Sequence, residues 1–356
     1  MQARKQIIDA LELMQQPAFL VTGGQIIYRN TAAGKFLLET GTDVTALLET
    51  GREEYEHFTD GQLYLTLRLA DMSVGCCITK SEDCEIWTPE QPADHAQLQA
   101  LALAAQILRE PLSAAISATE QLFPTLDAEN ESSQYQAAQI NRRLFQMLRT
   151  ISNMSDAAIY TDAGMNRMEY VEICAIVREI LDKVSALTDG IDIHLEVEIP
   201  DQSIFTLADP EKLERAIYNL ISNAIKFSPN GGKVRVQVST PGKQLRLSVE
   251  NEGNDLPSKD LYTRYLRHPG LYDSRWGLGL GMVLVRTAAS QHGGAVLVDH
   301  PTPNTNRITM SLAMRQPKIP HFRSPILRLD YAGERDHGLI ELADVLPPQK
   351  YKVDEI

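Results

Sequence analysis

Hydrophobic and polar residues follow two different periods along the chain, and each change of period marks a new segment. In residues 1–90 the apolar runs are short and are separated by turn residues such as the pair Gly23 and Gly24. Strands are predicted at residues 17–21, 25–28, 63–69 and 73–79. This segment is therefore expected to be a small α/β unit, with a helix that starts near Thr31.

Residues 94–160 follow a helical period instead. Two long helices are predicted at about residues 96–123 and 132–159, with a turn between them. A hairpin of two helices is too thin to bury its own apolar stripe, so we expect a second hairpin to complete a dimeric four-helix bundle. The apolar positions concerned are Leu101, Leu108, Leu112, Ala115, Leu122, Ile140, Leu144, Met147, Leu148 and Ile151.

A third segment, residues 168–315, mixes both periods. A helix is predicted between Pro210 and Pro229, because its apolar residues recur three and four positions apart. On this helix Asn219, Asn223 and Lys226 share one face. Amide oxygens and a lysine ammonium suit Mg²⁺ and phosphate, although a solvated polar face would have the same composition.

Two alternating runs follow, at residues 233–238 and 244–249, and they predict a β-hairpin that turns at Pro241 and Gly242. A polar loop with Asn251 and Gly253 comes directly after the hairpin.

A glycine-rich turn then opens the next helix, with Gly277, Gly279 and Gly281 at alternate positions and Leu280 among them. Such glycines let the backbone approach a polyphosphate closely, and the helix that follows offers unpaired N–H groups. Tight structural turns use the same residues, so the turn alone leaves both interpretations open.

The order of these boxes resembles the ATP-binding domain of sensor histidine kinases, which belongs to the GHKL family shared with gyrase, mismatch-repair and heat-shock ATPases. The resemblance implies an α/β sandwich that binds ATP and Mg²⁺, with Asn223 on the metal and Lys226 near the phosphates. It also implies nucleotide contacts from Asn219, Asn251, Gly253, Arg264, Arg267, Gly277, Gly279, Leu280 and Gly281.

Asn251 departs from the aspartate that is common in that family, where the carboxylate accepts a hydrogen bond from the adenine amino group. An amide carbonyl can accept the same bond. A neutral hydrogen bond contributes about 0.5–1.5 kcal/mol, whereas a charged acceptor contributes about 1.5–3 kcal/mol. Adenine recognition is therefore expected to be weaker than in the family, but Asn251 does not exclude it.

The segment 94–160 resembles the dimerisation and phosphotransfer hairpin of the same kinases. Four positions of the family signature match, namely Leu108, Arg109, Pro111 and Leu112. Gln106 stands where the phosphate-accepting histidine belongs, and Ile107 replaces its acidic neighbour. The lone pair of a carboxamide nitrogen is delocalised into the carbonyl, and isoleucine cannot act as a general base. We therefore expect no self-phosphorylation at Gln106.

Residues 1–90 resemble a small PAS-type sensor domain. The expected architecture is α+β and multidomain: a PAS-like α/β sensor at 1–90, an antiparallel helical hairpin at 94–160, a GHKL α/β sandwich at 168–315 and an extension at 316–356. In the extension a strand is predicted at residues 326–331 and a short helix at 338–346, and its role stays open.

Composition narrows the choice of partners. A net charge of −13 argues against nucleic acid, because neutralising phosphates requires a basic surface. Without a run of eighteen apolar residues or a signal peptide, and with four cysteines outside metal-binding spacings, the chain is expected to be cytoplasmic and not to span a membrane. Expected partners are ATP, a second copy of the chain, and a response regulator or another kinase.

Three functions stay open from the residues. The first is a two-component pseudokinase that binds ATP but does not phosphorylate itself. The second is an active phosphotransferase of the histidine kinase type that phosphorylates another chain's histidine in trans. The third is an interaction module that binds no nucleotide.

Overall fold

The computed structural model describes residues 2–69, 71–81, 84–90, 93–126, 130–159, 167–253, 280–315 and 335–352. Within these residues every helix is too short or too polar to span a membrane.

The first unit is a five-stranded antiparallel arrangement with short helices around it. Its strands lie in the order β2-β1-β5-β4-β3. The elements are α1 (Gln2–Glu12), β1 (Phe19–Thr22), β2 (Gln25–Arg29), α2 (Arg52–Glu56), β3 (Gln62–Leu69), β4 (Met72–Ser81) and β5 (Cys84–Pro89). The predicted α/β character is confirmed, although strand β5 was not predicted and the helix expected near Thr31 is a single stretch of 3₁₀ helix, Thr31–Phe36. The PAS-like assignment stays a prediction.

The helical hairpin consists of α3 (Ala93–Leu122) and α4 (Glu131–Ile159), and α3 continues through Pro111. Its apolar stripe is only partly covered within one chain. Leu112, Leu148 and Ile151 are buried, whereas four other members of the predicted stripe are exposed: Leu108, Leu122, Ile140 and Met147.

The third unit packs helices against a mixed sheet, as expected for a GHKL-type domain. Its elements are β6 (Glu169–Glu172), α5 (Ile173–Thr188), β7 (Ile193–Glu198), β8 (Phe205–Ala208), α6 (Pro210–Phe227), β9 (Gly232–Ser239), β10 (Gln244–Glu252), α7 (Leu280–Gln291), β11 (Val296–Asp299) and β12 (Thr305–Ala313). The strands of its main sheet lie in the order β11-β12-β10-β9-β7, and α5, α6 and α7 share a hydrophobic core with them. The predicted β-hairpin is β9 and β10, paired antiparallel.

Strand β3 joins the first unit to the third, a feature that was not predicted from sequence. It pairs antiparallel with β11, with Tyr64 opposite Val296, so that the described strands form one ten-stranded sheet. Leu63, Leu65 and other odd-numbered residues of β3 lie in the core of the first unit, whereas Tyr64 belongs to the core of the third. One strand therefore contributes to two hydrophobic cores.

Residues 335–352, which we call the C-terminal clasp, pack against the hairpin and the third unit. The clasp contains α8 (His337–Glu341), so a short helix is confirmed, although it ends earlier than residue 346. The buried apolar residues of the clasp are Leu339, Ile340, Leu342, Ala343, Leu346 and Tyr351. The strand predicted at residues 326–331 lies outside the described residues.

Candidate functional site

Helix α6 collects most of the predicted site residues, and its start is held by two side chains. The carboxylate of Asp209 caps the helix by accepting a hydrogen bond from the Lys212 N–H at 3.2 Å. The Asp209 N–H in turn donates to Nε2 of the buried His292 at 2.8 Å. His292 directly follows α7, and its hydrogen bond with Asp209 was not predicted, because the two residues are far apart in sequence.

The His292 ring is neutral in this arrangement. Burial lowers the pKa of His292 below its usual value, and this effect outweighs the hydrogen bond to the Ala288 carbonyl, which favours the protonated ring. With Nε2 accepting from Asp209, the ring proton lies on Nδ1 and is donated to that carbonyl.

The face of α6 that carries Asn219, Asn223 and Lys226 is at least partly buried. It is therefore not the fully solvated polar face that the sequence also allowed. Asn219 is 1% exposed, and its amide donates to the Arg215 carbonyl and accepts from Arg149. Asn223 and Lys226 are partly buried on the same helix. These hydrogen bonds within the fold are sufficient to explain an asparagine at position 219. The contact of Asn219 with a nucleotide stays a prediction.

Two glycines of the predicted site allow neighbouring backbone to approach α6. A Cβ on Gly281 would lie 2.4 Å from Oδ1 of Asn219, and a Cβ on Gly253 would lie 2.5 Å from the Phe227 carbonyl oxygen. Neither space admits a side chain. Close packing is therefore a sufficient explanation for these two glycines. For the glycine-rich turn, both the structural and the phosphate-binding interpretation stay open.

Asn251 lies near the end of β10 and is 5% exposed. Its Nδ2 donates to the Glu252 carbonyl at 3.0 Å. With the amide nitrogen engaged, the side-chain carbonyl is the acceptor that an adenine amino group requires.

The rest of the predicted set divides into two groups. Leu280 is buried at the first position of α7, directly before Gly281. Four predicted ligands lie outside the described residues: Arg264, Arg267, Gly277 and Gly279.

Gln106 and Ile107 are both exposed on α3, and Ile107 is 67% exposed. Leu112, six residues beyond Gln106, is buried and keeps this helix against its neighbours. The position that the resemblance assigns to the phosphate acceptor is therefore accessible to solvent, and it carries an amide.

A cluster of opposite charges lies between α4, α6 and the clasp. Arg149 of α4 is 3.5 Å from Glu341 and 2.9 Å from Asp344. Arg215 of α6 approaches Glu341 at 3.4 Å, and Lys226 lies 3.1 Å from Asp344. Sequence reasoning missed this cluster. The available signal was weak: two carboxylates three residues apart in the predicted clasp helix, and an arginine directly after Leu148 of the apolar stripe.

Burial and neighbouring charges act in opposite directions on the carboxylates of this region. Burial alone would raise the pKa of Asp344, but the charges of Arg149 and Lys226 outweigh it and lower that pKa below its usual value. For Asp156, burial prevails over the charge of Arg215 and raises the pKa. Asp344 is therefore ionised at neutral pH.

All four cysteines of the chain lie within the described residues. Cys76 and Cys174 are buried, and all four are free thiols. Burial raises the pKa of Cys77 to about 12 and that of Cys76 well above its usual value, so these two are not reactive thiolates. Across the described residues there is no cluster of three or more His, Cys, Asp or Glu side chains that could hold a metal.

The polar groups on α6 and β10 are of the types that suit a magnesium nucleotide. Asn223 is partly buried and has an amide oxygen, Lys226 supplies a cation, and Asn251 has a carbonyl acceptor. All three types of group are those that the resemblance assigns to metal, phosphate and adenine.

Comparison with known proteins matches the same elements. The family described as histidine kinase-, DNA gyrase B-, and HSP90-like ATPase matches residues 208–316. The sensor histidine kinase WalK of Bacillus subtilis is 27% identical over 180 residues, 48% of this chain and 29% of that protein. The adaptive-response sensory kinase SasA of Parasynechococcus marenigrum is 24% identical over 209 residues, 57% of this chain and 53% of that protein.

A solved structure of full-length ShkA in complex with AMPPNP is 23% identical with a TM-score of 0.46, over 62% of this chain and 47% of that chain. The present chain spans 29% of WalK and 53% of SasA. The matched family covers α6, β9, β10, α7, β11 and β12, which carry the candidate site. Residues 208–316 therefore form a GHKL-type ATP-binding domain, and about half of the chain is similar to sensor histidine kinases.

Proposed function

We propose that this chain is a two-component signalling pseudokinase: it binds Mg²⁺ and ATP on α6 and signals to a partner protein without phosphorylating itself at Gln106. One observation carries the proposal. The described nucleotide-site groups are gathered around α6, whereas the exposed position equivalent to the phosphate acceptor carries an amide that cannot form a stable phosphoryl adduct.

Each residue has a defined task in this proposal. Asn223 holds the magnesium ion through its amide oxygen, Lys226 neutralises phosphate charge, and Asn251 accepts from the adenine amino group. Leu280 and Gly281 begin α7, whose first N–H groups lack helical partners and favour an anion. Bound ATP supplies a transferable γ-phosphoryl group.

The hairpin is the proposed route to the partner. Four exposed apolar residues leave its stripe half covered, so a second copy of the chain completes the four-helix bundle. Sedimentation of the protein as a monomer at micromolar concentration would contradict the dimeric bundle. A response regulator or another kinase is the proposed protein partner.

A second candidate is phosphorylation in trans, in which the chain transfers the phosphoryl group to a histidine of another hairpin. One feature favours this candidate: the chain has Asn223 and Lys226 for the nucleotide, although Gln106 is not an acceptor. The acceptor would then be on another chain.

Titration calorimetry with Mg·ATP tests nucleotide binding. We expect the wild-type protein to bind and Asn223→Ala to lose about tenfold or more in affinity, because a metal ligand is removed. Asn230→Ala is the matched control, since Asn230 is an exposed asparagine just beyond α6. Absence of binding in all three proteins would favour an interaction module instead.

Radiolabelled ATP then separates the two kinase hypotheses. The pseudokinase predicts no acid-labile, base-stable phosphate on this chain. Such a label on this chain, incubated alone, would contradict the pseudokinase hypothesis. A label on the hairpin of a candidate partner would favour transfer in trans.

A further inference from the structure

The C-terminal clasp contacts both α4 and α6. Its backbone is held by α4: Arg142 donates to the Ala343 and Asp344 carbonyls at 3.3 and 3.2 Å, and Gln146 donates to the Ala343 carbonyl at 3.0 Å. Asn141 of the same helix donates to the Tyr351 carbonyl at 3.0 Å. These bonds fix the part of the clasp that carries Asp344.

Glu341 connects the clasp to both helices. Its side chain has 0% exposure and lies between Arg149 of α4 and Arg215 of α6. Breaking a buried ion pair of this kind leaves an uncompensated charge, which is strongly unfavourable. Together with the apolar residues of the clasp, Glu341 therefore makes this segment part of the folded core.

Asp344 differs from Glu341 because it lies at the rim. Its side chain is 31% exposed, and it pairs with Lys226 at 3.1 Å as well as with Arg149. Lys226 is 14% exposed. The lysine that the proposed function assigns to nucleotide phosphates is thus occupied by a carboxylate of the same chain, and that carboxylate has access to solvent.

We propose, on the basis of the proposed function, that Asp344 competes with nucleotide phosphates for Lys226, so that the clasp restrains nucleotide binding from within the chain. A carboxylate and a phosphate repel each other at the distances that a shared ammonium partner imposes. Nucleotide binding therefore requires Asp344 to leave Lys226, while Arg149 remains as its partner. Nucleotide affinity is set partly by residues outside the ATP-binding domain.

Calorimetric titration of full-length Asp344→Asn with Mg·ATP tests this inference. The amide keeps the shape of the side chain and removes its charge. We expect affinity to rise by about tenfold over wild type, because a charged hydrogen-bonding competitor has been neutralised. Asp336→Asn is the matched control: it removes a carboxylate from the same clasp, but one that pairs with Lys183. Its affinity is expected to equal that of wild type.

The outcomes separate this inference from the proposed function. Tighter binding by Asp344→Asn than by wild type, with Asp336→Asn equal to wild type, supports competition. Equal affinities, or equal gains in both variants, overturn it while the nucleotide site stands. If none of the three proteins binds, the proposed function fails and the inference falls with it.

Hydrogen exchange on the wild-type protein gives a second measurement that needs no variant. Saturating Mg·ATP is expected to increase exchange at residues 342–346, because Asp344 loses one of its two partners. Unchanged exchange in a protein that binds ATP would overturn the competition.

Discussion

His292 shows how one side chain can fix the position of a functional helix. It accepts the Asp209 N–H at the start of α6 and donates to the Ala288 carbonyl, so both ring nitrogens are used and the ring must stay neutral. Burial lowers the pKa of His292, the charges of Lys212 and Arg315 lower it further, and the charge of Asp209 opposes them. Protonation would remove the acceptor that Asp209 uses.

The free energy of unfolding is therefore expected to fall as the pH decreases below the usual histidine value of 6.5. Below that pH the unfolded chain binds a proton that the folded ring does not, so acid favours the unfolded state, and the effect vanishes above about pH 7.5. We predict that His292→Gln, which retains an acceptor, lacks this component of the acid loss in urea unfolding curves. His300→Gln controls for loss of an exposed histidine. Parallel curves for wild type and His292→Gln would contradict the prediction.

Gln106 is a residue whose meaning comes from sequence and chemistry rather than geometry. Its register was set by Arg109, Pro111 and Leu112, and an amide cannot replace an imidazole whatever its surroundings. The structure adds that Gln106 is exposed on α3.

Helices α6 and α7 meet at Gly281, where packing of whole elements depends on one missing side chain. A Cβ there would lie 2.4 Å from Oδ1 of Asn219, and Asn219 is held by hydrogen bonds to Arg215 and Arg149. The asparagine therefore cannot turn away without losing both bonds.

We predict that Gly281→Ala destabilises the protein by about 1–3 kcal/mol, the usual cost of overpacking, measured by chemical denaturation. Helix propensity alone would give the opposite sign, since alanine is better than glycine in a helix by about 1 kcal/mol. Gly34→Ala is the control, because a Cβ there meets nothing within 4 Å. Unchanged or increased stability of Gly281→Ala would show that α7 can shift away from α6.

Strand β3 shows that the alternation of apolar and polar residues predicts a strand but does not predict how much of it is buried. Alternation of this kind is typical of a strand with one buried and one exposed face, yet seven of the eight residues of β3 are buried. The second face is covered by α7, which lies more than two hundred residues later in the sequence.

At the scale of the whole molecule, the contact between β3 and α7 ties the first unit to the ATP-binding domain. The guanidinium carbon of Arg286 lies 4.4 Å from the centre of the Tyr64 ring, and Arg286 also lies 3.6 Å from Glu90. Thr66 and Ser290 are hydrogen-bonded through their hydroxyls at 2.5 Å. These contacts connect the first unit directly to α7, without involving the hairpin.

We predict that the two units unfold in one transition, and that Arg286→Ala lowers the free energy of unfolding by about 1–3 kcal/mol through loss of a desolvated cation–π contact and an ion pair. Urea unfolding followed by tryptophan fluorescence and by circular dichroism should give coincident midpoints. Arg235→Ala is the control; its exposed ion pairs with Glu196 and Glu198 are expected to contribute less than about 1 kcal/mol. Two separate transitions in the wild-type protein would contradict the coupling.

The sequence by itself determined what depends on local chemistry and periodicity: the two hairpin helices, the face shared by Asn219, Asn223 and Lys226, and the amide at position 106. These follow from repeat spacing and side-chain type, which neighbours in the chain already define. Tertiary structure alone decided which partner each of these residues meets. The pairing of β3 with β11, the contact between His292 and Asp209, and the placement of Asp344 on Lys226 join residues far apart in the chain, and no local pattern encodes such contacts because they arise only when separate elements pack.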